Sequence, residues 1–283
     1  MGLIETLFLP IAKHFIAGPT LNDAVITSKE MNGRGFRVIV NFLGEEIKDE
    51  KELERTMTEY LAIFDQMDQN KIEGCVSVKP TQLGLTMGLD LAEGNLHRIV
   101  ERAKASGRYL WVDMEGSMYT GQTIDLYLKE LKGYDRMGIA IQAYLRRTSA
   151  DIDRLISEGG QVRLCKGAYN EPADLAFKGK LEVKQNYSDM MKKLFSQKAF
   201  FAIATHDDKL QDEAKALAGS SHPNFEFQML RGVREELGRN LIEQGYQLSV
   251  YIPYGANWFP YGMRRMKERK RNILLLFRSL FSG

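Results

Sequence analysis

Residues 138–165 read GIAIQAYLRRTSADIDRLISEGGQVRLC. The run 138–143 is apolar and strand-like, 150–157 has the look of a short helix, and 161–165 is a second strand-like run. A strand, a helix and a strand in so little chain predict a parallel crossover unit. Working toward the N-terminus, the same unit repeats: strands at 109–113 (YLWVD), 74–79 (GCVSVK) and 36–41 (FRVIVN), with helices at 122–131, 89–105 and 49–67. Toward the C-terminus follow strands at 200–205 (FFAIAT), 225–230 (FEFQML) and 248–252 (LSVYI), with helices at 183–195, 209–217, 234–244 and 261–281. Eight strands, each followed by a helix, predict an α/β fold closed as a (βα)8 TIM-like barrel with extra N-terminal helices. The alternative, an open doubly wound sheet, lacks a Gly-x-Gly-x-x-Gly turn after the first strand. Residues 1–35 are expected to be helical and packed on a barrel formed by 36–283, with no low-complexity linker dividing the chain.

The 283 residues, 44% hydrophobic and 27% charged, suffice for one large core. A formal charge of +2 gives no reason to expect a nucleic-acid partner. Cys75 and Cys165 both lie in strand-like runs and read as buried thiols, and no metal-binding cysteine pattern exists. Residues 1–16 lack the basic start and long apolar centre of a secretory signal, and no stretch approaches the ~20 apolar residues that span a bilayer. The expectation is a cytoplasmic protein, with peripheral contact at the inner face of the cell membrane left open.

A barrel carries its chemistry at the C-terminal strand ends. Those ends hold Lys79, Thr81 and Gln82; Asp113 and Glu115; Gln142 and Tyr144; Arg163, Lys166, Gly167 and Tyr169; Thr205, His206 and Asp207; Gln228; and Tyr251. Taken singly, each reads as a solvated loop residue, and His206 as a structural histidine. Clustered on one face they would be costly to bury without partners, which a ligand rich in donors and acceptors would supply. A second constellation is Arg264-Arg265 with Glu268, in YGANWFPYGMRR (254–265) and just beyond. Read as lying in the first helical turn after Pro260, the two cations would oppose the macrodipole unless an anion lay nearby. Paired arginines bind carboxylate or phosphate, but a solvated basic helix fits the following Lys267, Arg269, Lys270 and Arg271 equally well.

With these residues in view, the chain resembles the proline dehydrogenase family in its short monofunctional bacterial form. The matching runs are SVKPTQLG (77–84), LWVDMEGS (110–117), IQAYLRRT (141–148), RLCKGAYNEP (163–172), ATHD (204–207), EFQML (226–230) with GVR (232–234), and YIPYGANWFPYGMRR (251–265). They occur in the family's order and span about 36–280. The resemblance implies non-covalent FAD across the strand ends, oxidation of L-proline to Δ1-pyrroline-5-carboxylate as the first step of proline catabolism, and a quinone as electron acceptor. It implies that Arg264, Arg265 and Lys79 hold the substrate carboxylate, that Tyr251 packs on the ring, that Asp113 organises the pocket and that Glu268 braces the cations. Arg163 is expected near the reactive ring nitrogen of the flavin and Gln142 at its pyrimidine edge. Cys165, Gly167, Tyr169, Lys180, Thr205, His206 and Gln228 are expected to hold the rest. Cys165 departs from the usual Val and Pro80 from a common Leu; Tyr251 points to proline rather than hydroxyproline. A separate pyrroline-5-carboxylate dehydrogenase would take the product. No metal site is expected.

The chemistry asks for such a set. No side chain accepts a hydride, so a cofactor must. Cations near the substrate disfavour its protonated amine, and fixing the carboxylate fixes the reacting distance. Two rivals are a Schiff-base lyase or aldolase using Lys79 or Lys166, and a barrel that binds a ligand without reacting. Membrane contact, if made, would involve Leu3, Leu7, Phe8 and Ile11 or the 273–277 run; packing of both on the barrel is the simpler reading.

Overall fold

The computed structural model describes the backbone of residues 12–219 and 224–268 and the side chains of 12–219 and 224–263. Eight parallel strands close in chain order: β1 (Arg37–Phe42), β2 (Gly74–Val78), β3 (Leu110–Val112), β4 (Met137–Gln142), β5 (Val162–Cys165), β6 (Phe201–Ala204), β7 (Phe225–Leu230) and β8 (Leu248–Tyr254). Closure is made by β8 on β1, Arg37 to Phe42 registering with Ser249 to Tyr254. That pairing excludes the open sheet. The strands lie between a helical layer and the barrel interior, which is why they read as nearly continuous apolar runs; all six residues of β4 are buried.

The α-helices that lie among the described residues are α1 (Leu21–Gly33), α2 (Glu50–Gln69), α3 (Leu89–Ala105), α4 (Thr120–Leu131), α5 (Thr148–Ser157), α6 (Lys180–Phe195), α7 (Asp208–Ala218), α8 (Glu235–Glu243) and α9 (Trp258–Glu268). In α2, Leu53, Met57, Tyr60, Phe64 and Met67 recur at three- and four-residue steps and form its buried stripe, while Asp49 caps it by accepting from the Glu52 amide at 3.0 Å. Thr20 and Asp23 close a reciprocal capping box on α1, which packs on β1 and β8.

The barrel's lower interior is filled by Ile39, Cys75, Trp111 and Ala202, with Tyr109, Phe200 and Tyr251 against them. Gly138 on β4 makes room for this aromatic floor, because a Cβ there would lie 2.4 Å from the Trp111 ring. Truncating so large a buried ring costs about 3–5 kcal/mol, so the floor is a rigid base for the polar layer above it.

Residues 12–18 run back across the end of β8. The Ala17 amide donates to Pro253 O at 2.9 Å, the Gly255 amide to Gly18 O at 3.0 Å, and Arg231 Nη1 to Ile16 O at 2.6 Å. Ala12, Ile16 and Leu43 bury Trp258, the first residue of α9. This helix starts three residues before the start read from the sequence, with Pro260 as its third residue. Arg264 and Arg265 therefore lie in its second turn, where the N-terminal dipole has largely decayed, so the dipole conflict inferred from the sequence does not hold. Among the described residues, no helix is long and apolar enough to cross a membrane. The two apolar stretches considered for membrane contact lie outside the described residues.

Candidate active site

Asp113 is the first residue after β3, and its amide donates to Val78 O at 2.8 Å, extending the ladder by one step. That step turns its carboxylate into the barrel mouth. Oδ1 accepts from Ser77 Oγ at 2.6 Å and Arg163 Nη1 at 2.5 Å; Oδ2 accepts from the Tyr251 hydroxyl at 2.5 Å and lies 3.7 Å from Lys79 Nζ. One carboxylate thus ties β2, β3, β5 and β8 together and sits between two cations. Burial opposes its ionisation, but Lys79, Arg163 and the Ser77 and Tyr251 hydrogen bonds outweigh it and hold the carboxyl below its usual range. Burial likewise opposes charge on Lys79, yet Asp113, with Tyr169, Glu115 and Glu45, holds that ammonium above its ordinary pKa.

Arg163 is 5% exposed and stacks 4.4 Å over the Trp111 ring, on the aromatic floor. Among the described residues only Nη1 finds acceptors; Nε and Nη2 are buried without hydrogen-bond partners there. Unpaired buried donors on a cation are expensive, and Arg163 lines a cleft of about 1070 Å³ whose wall also includes Asp113, Tyr251, His206 and Arg234. A small amino acid alone would leave most of that volume unfilled, since ~300–1000 Å³ already suits a drug-sized ligand. The donors and the space together fit a large, acceptor-rich group.

Gln142, Cys165, Gly167, Tyr169, Thr205, His206 and Gln228 all line this cleft. Gln142 donates to Glu115 O at 2.9 Å, which orients its amide. His206 Nε2 accepts from the Leu230 amide at 2.8 Å, so that nitrogen carries no proton. Gly167 has φ +109°, and a Cβ there would meet the Tyr144 ring at 2.1 Å; only glycine lets the loop after β5 pass so close. Both cysteines are free thiols. Cys75 is buried as expected, but Cys165 is only half-buried, because its strand ends at the cleft; burial pushes each thiol up to about 12, so neither is an activated nucleophile.

Lys180 is not brought to the cleft: it is the exposed first residue of α6. One turn on, Lys184 lines the cleft instead and donates to Asp207 Oδ1 at 3.2 Å, while Lys166 donates to Asp207 Oδ2 at 2.9 Å. Arg234, in the left-handed region at φ +51°, donates to His206 O at 2.8 Å and to Asp208 at 3.1 Å. These groups make one end of the cleft cationic. The sequence reading missed Lys184, Arg234, Ser77 and Asn41, which lines the cleft and donates to Ser77 O at 2.9 Å, as site residues; for Lys184, the four-residue spacing from Lys180 was the available signal, since both lie on one helical face. Arg264, Arg265 and Glu268 are carried by α9, and their side chains lie outside the described residues. Pro260 and Tyr261 of that helix line the cleft.

The family model described as proline dehydrogenase matches residues 24–273. Proline dehydrogenase 2 of Bacillus subtilis (strain 168) is 35% identical over 272 residues, covering 95% of this chain and 90% of its own. Proline dehydrogenase of Deinococcus radiodurans is 30% identical over 281 residues, covering 96% and 91%. Among solved structures, proline utilization A of Bdellovibrio bacteriovorus, inactivated by N-propargylglycine, superposes with a TM-score of 0.85 at 22% identity, over 93% of this chain and 33% of that one. At that identity the last comparison speaks to the fold alone.

Proposed function

This chain belongs to the proline dehydrogenase family, and from that premise we propose that it oxidises L-proline to Δ1-pyrroline-5-carboxylate with FAD, passing the electrons to a quinone. The observation that carries this reading is the Asp113 knot at the cleft floor, next to the Arg163 donors that find no partner among the described residues. FAD, when bound, accepts the hydride equivalent that no side chain can take. Everything else falls to the protein. Lys79 is kept cationic by Asp113 and presents a fixed positive charge to a carboxylate. The same charge disfavours protonation of the substrate nitrogen, whose lone pair must be available as the adjacent ring carbon is oxidised. Tyr251, tethered through its hydroxyl to Asp113, offers its ring as a wall for the pyrrolidine. Arg264 and Arg265, with Glu268 bracing them, complete the carboxylate site in this reading, through the helix that Trp258 anchors.

For the cofactor, Arg163 offers Nε and Nη2, and Gln142, Cys165, Gly167, Tyr169, Thr205, His206 and Gln228 line the remaining length. Lys184 takes the role that the sequence reading assigned to Lys180. The pyrroline product would pass to a separate pyrroline-5-carboxylate dehydrogenase, and a lipid-soluble quinone would bring the enzyme transiently to a membrane surface.

The Schiff-base alternative finds no support at Lys79, because that chemistry needs a neutral amine and Asp113 holds the charged form. The deciding experiment is an absorbance spectrum before and after anaerobic addition of L-proline. Flavin bands that bleach are the expected result. Bands that persist would redirect the search to other cyclic amines, and no flavin after reconstitution with FAD would overturn the cofactor assignment.

A further inference from the structure

We propose that Glu226 is a positioning residue that fixes Gln228 with its carbonyl oxygen toward the cleft, making Gln228 an acceptor for a hydrogen-bond donor on the cofactor. The proposal rests on the FAD reading above. Glu226 and Gln228 are two residues apart on β7 and so project to the same, interior side of the barrel. Glu226 is 3% exposed, and its carboxylate is filled on both oxygens. Oε1 accepts from Gln228 Nε2 at 2.6 Å; Oε2 accepts from Ser249 Oγ at 2.8 Å and lies 4.0 Å from Arg37 Nη1. Arg37 and Ser249 face each other in the β1–β8 register, and Ser249 registers in turn with Gln228. A polar ladder therefore climbs the barrel from Arg37 through Glu226 to Gln228, beside the aromatic floor.

A carboxylate flanked by a hydroxyl donor and a guanidinium accepts hydrogen bonds and has none to give. The end of the Gln228 amide that faces it must be the NH2 end, so the other end must be the carbonyl. Among the described residues nothing donates to Gln228 Oε1, although Gln228 is 3% exposed and lines the cleft. A free amide could turn over to suit either a donor or an acceptor; this one is locked as an acceptor. It selects an N–H or O–H on the ligand and disfavours a carbonyl or phosphate oxygen at that point. Glu226 acts only through Gln228 and does not touch the ligand.

The test is a double-mutant cycle read as the Kd for FAD, by titration of the deflavinated full-length protein. Glu226→Gln supplies both a donor and an acceptor and so leaves Gln228 free to turn; Gln228→Met removes the acceptor. Each single substitution is expected to weaken FAD by about tenfold, the scale of one well-made hydrogen bond. The double variant should be no weaker than Gln228→Met alone. Additive losses, or no loss in Glu226→Gln, would overturn the proposal while leaving the FAD reading intact. Unsubstituted protein that binds no FAD would overturn both. Should Glu226→Gln fail to fold, the ¹H–¹⁵N resonance of the Gln228 side-chain amide, assigned by its loss in Gln228→Met, gives the answer in unsubstituted protein. Slow exchange with solvent is expected; exchange as fast as that of a surface glutamine overturns the proposal.

Discussion

The hydroxyl of Tyr251 on β8 donates to Asp113 Oδ2 at 2.5 Å, across a sequence separation of 138 residues. The bond links the barrel's last strand to the residue that follows its third. It also leaves the tyrosine ring little freedom, since the other Asp113 oxygen is already held by Ser77 and Arg163. Tyr251→Phe keeps the ring and loses the tether. A hydrogen bond to a charged group contributes about 1.5–3 kcal/mol, so the KM for proline is expected to rise about tenfold or more, with FAD retained. Steady-state kinetics beside a flavin-to-protein absorbance ratio check this; an unchanged KM would mean that the tether to Asp113 does not position the ring for substrate.

Arg163→Met removes the buried donors at Nε and Nη2 and leaves Asp113 with Lys79 as its cationic neighbour. The expected outcome is a shifted flavin absorbance maximum and a changed reduction potential, measured by anaerobic titration against a reference dye. A spectrum and potential like those of the unsubstituted protein would count against contact between this guanidinium and the flavin.

Lys184 and Lys180 form a matched pair of probes, one on the cleft and one exposed at the start of the same helix. Lys184→Met should weaken FAD by several-fold to about tenfold, more at low than at high ionic strength, because the charge is partly exposed and screened by salt. Lys180→Met should leave the Kd unchanged. The reverse ranking would restore the assignment made from sequence.

Arg265→Met should raise the KM for proline strongly while FAD stays bound, as loss of a forked carboxylate contact would. Near-normal proline kinetics would remove Arg265 from the substrate site and leave Lys79 and Arg264 as its cations.

At the other end of the cleft, Asp207 titrates unusually low. Burial works against its charge, but hydrogen bonds and attraction from Lys166 and Lys184, with the Leu210 amide, hold its carboxyl at about 2 against an ordinary 3.8. A carboxyl with a depressed folded pKa contributes stability that is fully present above the ordinary value and is lost as pH falls toward the folded one. Solvent screening of the partly exposed Lys166 and Lys184 keeps the contribution below about 2 kcal/mol. Urea unfolding should therefore show Asp207→Asn less stable at pH 5, with the gap narrowing below about pH 4. A gap independent of pH would mean that the α7 cap, and not the charge, is what the substitution removes.

The eight repeats were legible because strand and helix periods are local properties of a chain. Residues 225–230 and 89–105 coincide with β7 and α3 to the residue. The gathering of polar residues was legible too, since a parallel barrel brings every C-terminal strand end to one face, whatever the details of packing. The start of α9 was misread because Pro260 looks like a first helical residue, whereas burial of Trp258 between Ala12, Ile16 and Leu43 begins the helix earlier.

By itself, then, the amino-acid order determined the barrel and the face on which its chemistry sits. Only the tertiary structure decided which strand-end residues meet. Asp113 finds Arg163 across 50 residues and Tyr251 across 138; Lys184 rather than Lys180 reaches the cleft; Glu226 turns the Gln228 amide. The reason is physical. Period and composition tell which way a side chain leaves the backbone, but the stagger between strands and the closing of β8 on β1 set which side chains stand opposite one another. Whether a hydrogen bond spans 2.5 Å or is never made depends on that stagger, which is a property of the whole barrel rather than of any stretch of its sequence.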